Sequence, residues 1–427
     1  MSPVLQDSTA LLTDQYELTM LAGALADGCA SRRCTFEVFT RGLRGHRYGI
    51  VAGVPRVLDA VARFQFGDEQ LAFLHRMLDA RTLGWLAGYR FRGDIDGYPE
   101  GELYFPGSPV LTVTGSFAEA VMLETLVLSV LNHDSAVASA AARMAGAAGQ
   151  RPLVEMGSRR THEEAAVAAA RAAYLGGFSA TSNLAAGQRY GIPTTGTAAH
   201  AFSLLHDSEA DAFAAQVAAL GTDTTLLVDT YDITQGIATA IEVAGPGLHA
   251  IRIDSGDLGE LARQARDQLD RLGAPDVQIV VSGDLDEYSI AALRAEPVDS
   301  YGVGTSVVTG SGLPTAGMVY KLVEVDGQPV AKRSTDKISR GGVKSALRRY
   351  KPSRTALEEV VFRQGRQPER DEHDRLLQVP LLREGQPVGS PPTLHDGRER
   401  VTAALATLPW DGLRLSPGEP AIPTTFL

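Results

Sequence analysis

Between Ala250 and Leu272 the chain reads AIRIDSGDLGELARQARDQLDRL, and within this stretch a hydrophobic period of two gives way to one near 3.6. Ile251 and Ile253 place β-branched side chains on one side of a strand, while Arg252 and Asp254 alternate onto the other and end it. Asp257 and Glu260 suit an N-cap and its N3 partner, and Leu258, Leu261, Ala265, Leu269 and Leu272 then recur at helical spacing as far as Gly273. The pattern predicts one βα unit. A shorter echo follows in VQIVVSGDL over 277–285, with a helix predicted over 286–294. In a parallel α/β architecture the loops after consecutive strands gather at one sheet edge, so both carboxylate-bearing turns are expected to share a pocket.

The same alternation begins at Pro152. LVEMG leads into THEEAAVAAARAAYLGG, FSATS into NLAAGQRYG, and LLVDTYD into ITQGIATAIEV, with DSYGVGT after the two units already described. Repetition of this kind over roughly 160 residues predicts a parallel sheet, and the polar strand ends favour a barrel over residues 146–312. Upstream, STALLTDQYELTMLAGAL predicts a helix capped by Thr13 or Asp14, with Tyr16 and Glu17 in its first turn. Short strands are expected at 36–39, 49–54 and within 103–113, and a long apolar helix over 117–143, broken near Asn132. This makes an N-terminal α/β segment over 1–145 with a connector helix. From 313 onward the pattern weakens to a hairpin at Asp326-Gly327, a Lys/Arg-rich segment over 332–351, a loop-rich tail and a last helix near 399–406.

Composition narrows the class. With 427 residues, 44% apolar and 21% charged, the chain has material for two or three ordinary domains. A net charge of -11 argues against bulk nucleic-acid or anionic-membrane binding, while leaving room for a local basic pocket for small anions. Cys29 and Cys34 are the only cysteines and are read as two thiols. The first residues show no basic n-region joined to an apolar h-region, so a cytoplasmic address is expected.

Asp229, Asp254 and Asp284 each close an apolar strand. Carboxylates there can hold ribose hydroxyls or a divalent metal, or face a developing sugar cation; each taken singly serves equally well as a helix cap. Gly283, Gly302 and Gly304 fall at turns whose exposed N–H groups suit phosphate, although turns need glycine anyway. His200 lies in IPTTGTAAHAF beside Thr194, Thr195 and Thr197, where an imidazole is either structural or catalytic. Arg159 and Arg160 follow a strand and precede a helix, as an anion-binding pair or a surface pair.

Taken in order, TDQYELTM, FEVFTRGLR, ETLVLSVLNH, EMGSRRTHE, TSNLAAGQRYGIPTTGTAAHAF, VDTYDI, IRIDSGDL and YGVGTSVVTG resemble the nicotinate phosphoribosyltransferase family of type II phosphoribosyltransferases, over about residues 10–345. The resemblance implies an irregular parallel α/β barrel joined to an open-faced α/β sandwich domain built from early and late segments, and a homodimer with shared active sites. It implies that nicotinate and phosphoribosyl pyrophosphate give nicotinate mononucleotide and pyrophosphate, with magnesium present and ATP hydrolysis coupled through a phosphohistidine. By the same resemblance His200 is the phosphorylated histidine and Tyr16 reaches a partner's pyridine ring. Thr197, Arg159 and Arg252 surround the nicotinate, and Asp229, Asp254, Gly283, Gly304 and Thr305 surround sugar and phosphate.

Two positions refine this picture. Met156 stands where relatives usually carry a phenylalanine that stacks on the pyridine. Ser182 stands where similar nicotinamide enzymes carry an aspartate; an uncharged residue there favours a carboxylate substrate, and the same serine also suits a helix cap near Asn183. The rival expectations are nicotinamide or quinolinate specificity and, from another class, a barrel that binds nucleotide and regulates without turnover.

Overall fold

A computed structural model describes residues 8–332, 340–390 and 392–427. The chain divides into two units, one made of residues 1–136 and 315–427 and the other of residues 137–314. The polar ends of the predicted βα units all fall in the second.

In that second unit six short parallel strands form one curled half-barrel, in the order Ala180–Thr181, Leu153–Glu155, Ser300–Val303, Gln278–Ser282, Ala250–Ile253 and Thr225–Leu227. The predicted central unit is present as strand Ala250–Ile253 and helix Leu258–Arg271. Asp257 caps that helix by accepting from the Glu260 N–H, and Gly273 follows with a φ of +74°. Its echo is strand Gln278–Ser282 followed by helix Glu287–Leu293, capped by Asp286. Ile251 and Ile253 are fully buried, whereas Arg252 between them is only partly so, which is the alternation the sequence predicts. Two helices, His200–Leu205 and Glu209–Leu220, were not predicted. They fill the connection between the strand at 180–181 and the one at 225–227.

The first unit contains a seven-stranded antiparallel sheet and a four-stranded sheet. The strand Arg33–Thr40 runs between Met318–Val325 and Leu111–Ser116, so early and late segments share one sheet. Phe36 stacks on Tyr320 with ring centroids 4.8 Å apart across that pairing. The hairpin at Asp326-Gly327 is present, with φ of +47° and +76° at its two turn residues, as a two-residue turn between twisted strands requires.

Several expectations are corrected here. The break in the apolar helical stretch falls at 122–123, between helices Phe117–Val121 and Glu124–Ala148, and the second helix runs unbroken through Asn132. The Asn132 amide does not compete for its own backbone: its Oδ1 accepts from Met318 N at 2.7 Å and its Nδ2 donates to Met318 O at 3.2 Å. The extended piece at 49–54 reduces to Gly49–Ile50, because a helix starts at Val54. Part of the Lys/Arg-rich segment, residues 333–339, lies outside the described residues. The remainder is strand Lys344–Tyr350, paired with Ala356–Arg363, and the last helix begins at Leu394.

Candidate active site

The carboxyl ends of the half-barrel strands carry one hydrogen-bonded cluster centred on Arg252. Its Nε donates to Ser282 Oγ at 2.8 Å, one terminal nitrogen to Thr197 Oγ1 at 2.8 Å, and the other to Asp254 Oδ1 at 2.7 Å. Ser282 also donates to Asp254 Oδ1. The register that pairs Val280 with Arg252 puts Ser282 on the same face, so strand alternation alone assembles these three side chains. Burial pushes the Asp254 carboxyl up, but the Ser282 hydroxyl, Arg252 and His200 together hold it below the usual range. Asp254 is therefore a carboxylate at neutral pH.

Asp229 follows the neighbouring strand and locks the cluster from the side. Its Oδ2 accepts from Asp254 N at 2.9 Å and from Ser255 Oγ at 2.6 Å, while its Oδ1 is buried with no hydrogen-bond partner among the described residues. His200 faces both acids, its Nε2 lying 3.8 Å from Asp229 Oδ1 and 4.0 Å from Asp254 Oδ2. The other ring nitrogen lies 3.2 Å from Thr230 Oγ1. The His200 side chain is 41% exposed and Asp229 only 1%, so the imidazole stands open over a sealed carboxylate.

The remaining predicted residues fall around this cluster or apart from it. Gly283 has a φ of +119°, and a Cβ there would come within 2.7 Å of Asp254 O, so both conformation and space demand glycine. Asp284 next to it has a φ of +46° and is exposed; it lies beyond the strand, which ends at Ser282. Gly304 and Thr305 form the turn after Ser300–Val303, Thr305 opening a four-residue helix. Arg159 is exposed, in a turn closed by Arg160 N donating to Gly157 O. Ser182 is half-buried and does not cap the following helix; Asn183 does, accepting from Ala186 N at 2.9 Å. Met156 packs against the strand that follows it in space, its sulfur where a Gly302 side chain would have to be.

Tyr16 belongs to the other unit. It is 45% exposed at the start of helix Gln15–Asp27, and burial, helped by Glu124 and Glu17, pushes its phenol up to about 12. Beside it Glu17 is fully buried, accepts from Thr125 N at 2.8 Å, and is pushed up to about 7 by burial.

Four side chains of the half-barrel site escaped the sequence reading: Ser282, Thr230, Glu155 and Thr181. For Ser282 the signal was present, since it sits on the Arg252 face by simple alternation. For Glu155 and Thr181 it was not, because their partner strands are fixed only by the folded sheet.

A cluster of two carboxylates, a guanidinium, a half-exposed imidazole and a glycine turn can favour positive charge developing on a bound sugar while holding anionic groups nearby. No group of three metal-ligating side chains occurs among the described residues. No helix there is long and apolar enough to cross a membrane.

Known proteins resemble this one in sequence and fold along most of the chain. Residues 11–132 match the nicotinate phosphoribosyltransferase N-terminal domain, and residues 137–311 the quinolinate phosphoribosyl transferase C-terminal domain. The nicotinate phosphoribosyltransferase pncB1 of Mycobacterium tuberculosis is 64% identical over 98% of this chain and 95% of its own length. The nicotinate phosphoribosyltransferase of Bacillus subtilis is 37% identical over 75% of this chain and 68% of its own. Human nicotinic acid phosphoribosyltransferase superposes with a TM-score of 0.86 at 26% identity, covering 97% of each chain.

Proposed function

The chain belongs to the nicotinate phosphoribosyltransferase family and acts as an enzyme of NAD biosynthesis, and we propose that the cluster of Arg252, Asp254, Asp229 and His200 is where its reaction occurs. Nicotinate and phosphoribosyl pyrophosphate react to give nicotinate mononucleotide and pyrophosphate. The pyridine nitrogen forms a bond to the anomeric carbon as the bond to pyrophosphate breaks. Asp254, held ionised by Ser282 and Arg252, faces the positive charge that grows on the sugar. Arg252 and Arg159 supply charge-assisted donors for the nicotinate carboxylate, with Thr197 beside Arg252. Gly283, Asp284, Gly304 and Thr305 receive sugar and phosphate.

ATP enters through His200. Its imidazole takes the terminal phosphoryl group of ATP, releasing ADP, and the phosphorylated enzyme turns over before hydrolysis restores the free ring. The observation that carries this reading is the exposed imidazole held between Thr230 and two acids. The lone Oδ1 of Asp229 and Asp254 make a pair rather than a complete metal shell, so magnesium belongs to the reading as the counterion of the pyrophosphate substrate. A homodimer fits the same scheme, because Leu204, Leu205 and Tyr231 near His200 are 63%, 77% and 58% exposed and call for a cover. In that dimer the partner's Tyr16 reaches the pyridine. The two unpaired thiols, Cys29 and Cys34, go with a cytoplasmic address.

The test combines product and label. Nicotinate mononucleotide formation is measured with and without ATP, and γ-labelled ATP is incubated with wild type and His200→Ala. ATP should raise turnover, and acid-labile, base-stable label should form on wild type alone. Equal labelling of both proteins removes His200 from the role.

A further inference from the structure

Behind the exposed Arg159 turn lies a second polar group that the reaction scheme above does not use. Glu155 ends the strand Leu153–Glu155 with only 1% of its surface exposed. One carboxylate oxygen accepts from Gly157 N at 2.5 Å and the other from Thr181 Oγ1 at 2.5 Å. Thr181, fully buried on the adjacent strand, accepts in turn from Asn183 N at 3.0 Å. Asn183 donates from Nδ2 to Ser158 Oγ at 2.9 Å, and Ser158 is bonded covalently to Gly157. The ring is closed: Glu155, Gly157, Ser158, Asn183, Thr181 and back to Glu155.

This ring ties together the ends of neighbouring strands. The Arg159 turn leaves one of them, the Ser182 turn leaves the other, and Ser182 N donates to Glu155 O at 2.8 Å as a further tie. Gly157 also abuts a third strand end, since a Cβ there would lie 2.9 Å from Gly304 O and 2.3 Å from a Val308 methyl. Met156 N donates to Val303 O at 2.7 Å along the same edge. Burial raises the Glu155 carboxyl above its usual range, against the pull of Thr181 and Gly157. An acid kept in so unfavourable a place for ionisation must be held by its donors. Neither Glu155 nor Thr181 is exposed enough to touch a substrate, so the ring acts through the turns it holds.

We propose that Glu155 is a positioning residue for substrate selection: through Gly157, Thr181 and Asn183 it fixes the Arg159 turn against the Ser182 turn, so that the guanidinium meets a pyridine carboxylate in one geometry. The inference rests on the assignment of nicotinate to this pocket. Charge-assisted bonds depend steeply on alignment, and a turn freed by a lost hydrogen bond presents its arginine over a range of poses. Loosening the ring at Thr181 or Ser158 therefore weakens nicotinate most, while the phosphoribosyl pyrophosphate side keeps Asp254, Gly283 and the turn at Gly304 and Thr305, whose approach to Gly157 is backbone packing that neither of those side chains makes.

The experiment compares Thr181→Val, which keeps the shape but removes the hydroxyl, with Thr181→Ser, which restores it, and with Ser158→Ala, which opens the ring at its half-exposed side. For each, KM for nicotinate, KM for phosphoribosyl pyrophosphate, kcat and melting temperature are measured. Thr181→Val should raise KM for nicotinate by about tenfold, Ser158→Ala by about threefold, and both should leave KM for phosphoribosyl pyrophosphate within about twofold. Thr181→Ser should behave as wild type. Equal rises in both KM values, or a Thr181→Ser as impaired as Thr181→Val, overturn the proposal. If Thr181→Val does not fold, Ser158→Ala decides alone, and an unmoved KM for nicotinate there is a refutation. A wild type that makes no nicotinate mononucleotide refutes the assignment of the pocket instead, which is a separate result.

Discussion

Arg348 and Arg252 each sit in a cluster of carboxylates and hydroxyls, yet the two clusters serve opposite ends. Arg348, in the unit formed by early and late segments, donates to Glu102 at 2.7 Å, to Glu359 at 2.8 Å and to Leu103 O at 2.8 Å, and Tyr98 and Ser108 donate to Glu359. All three charged side chains are 0% exposed. Arg252 donates to one carboxylate, Asp254, and to the hydroxyls of Ser282 and Thr197, but Asp254 is 32% exposed and His200, facing it, 41%. The same functional groups make a structural joint where water is excluded and a reactive site where one side stays open. Sealing raises the cost of leaving any member unpaired; opening leaves charge available for a ligand.

The largest effect that sharpens this contrast is on stability. Arg348→Met leaves Glu359 buried without a cation and Glu102 with only Arg375, 2.8 Å away, and should cost about 3–5 kcal/mol, read as a lower urea midpoint. A midpoint unchanged within error would mean that the sealed cluster is no joint at all, and the comparison would fail.

Glu17 tests the same physics in a buried acid that has no arginine. Its carboxyl, pushed up from the usual 4.5 to about 7, binds a proton more tightly in the folded chain than in the unfolded one. Its contribution to stability is therefore complete below the unfolded value and is lost as pH rises through about 7. The loss amounts to about 3 kcal/mol across that window. Glu17→Gln, which keeps an acceptor for Thr125 N, should flatten the decline, so that the variant is the more stable protein at pH 8. Parallel stability–pH curves for the two proteins would show that Glu17 does not titrate there.

In the open cluster the corresponding change should spare the fold. Asp254→Asn keeps the shape and removes the charge opposite the developing sugar cation, and turnover should fall by at least about tenfold, roughly 1.4 kcal/mol of transition-state stabilisation. The urea midpoint should move by less than about 1 kcal/mol equivalent, because Asp254 is only partly buried. A smaller loss of turnover would take Asp254 out of the chemistry.

These two clusters also mark what sequence could and could not disclose. Arg252 and Asp254 were legible because strand alternation and capping are local: one stretch carried the strand, the turn and the helix, and its echo at 277–285 predicted a shared edge. Arg348 falls in a basic segment of the sequence that does not show its partners, since Glu102 lies 246 residues away and Glu359, 11 away, meets it only through the antiparallel pairing of 344–350 with 356–363. The antiparallel strands at 344–350 and 356–363 were missed for the same reason, their charged positions masking the period of two. The ring around Glu155 was invisible because it joins side chains of two strands whose pairing the sequence does not specify.

The smallest expected effect is on selectivity, at Ser182. Its hydroxyl makes no hydrogen bond among the described residues, and Asn183 has taken over the capping of the next helix. Ser182 is thus left to its surroundings, one residue from the ring that holds the Arg159 turn. A carboxylate introduced there would draw the Arg159 guanidinium toward itself and repel the carboxylate of nicotinate, while an amide-bearing pyridine gains an acceptor for its N–H. A well-placed bond to a charged group is worth about 1.5–3 kcal/mol, but the pair stays solvated at this half-buried position, so the net change should be smaller. Ser182→Asp should therefore lower kcat/KM for nicotinate by about threefold to tenfold and leave that for nicotinamide equal or higher. The measurement is the ratio of the two kcat/KM values in wild type and variant at one pH. An unchanged ratio removes Ser182 from selection, and an equal fall for both pyridines assigns it to the fold of the turn, leaving Arg159 and Arg252 as the groups that distinguish an acid from an amide.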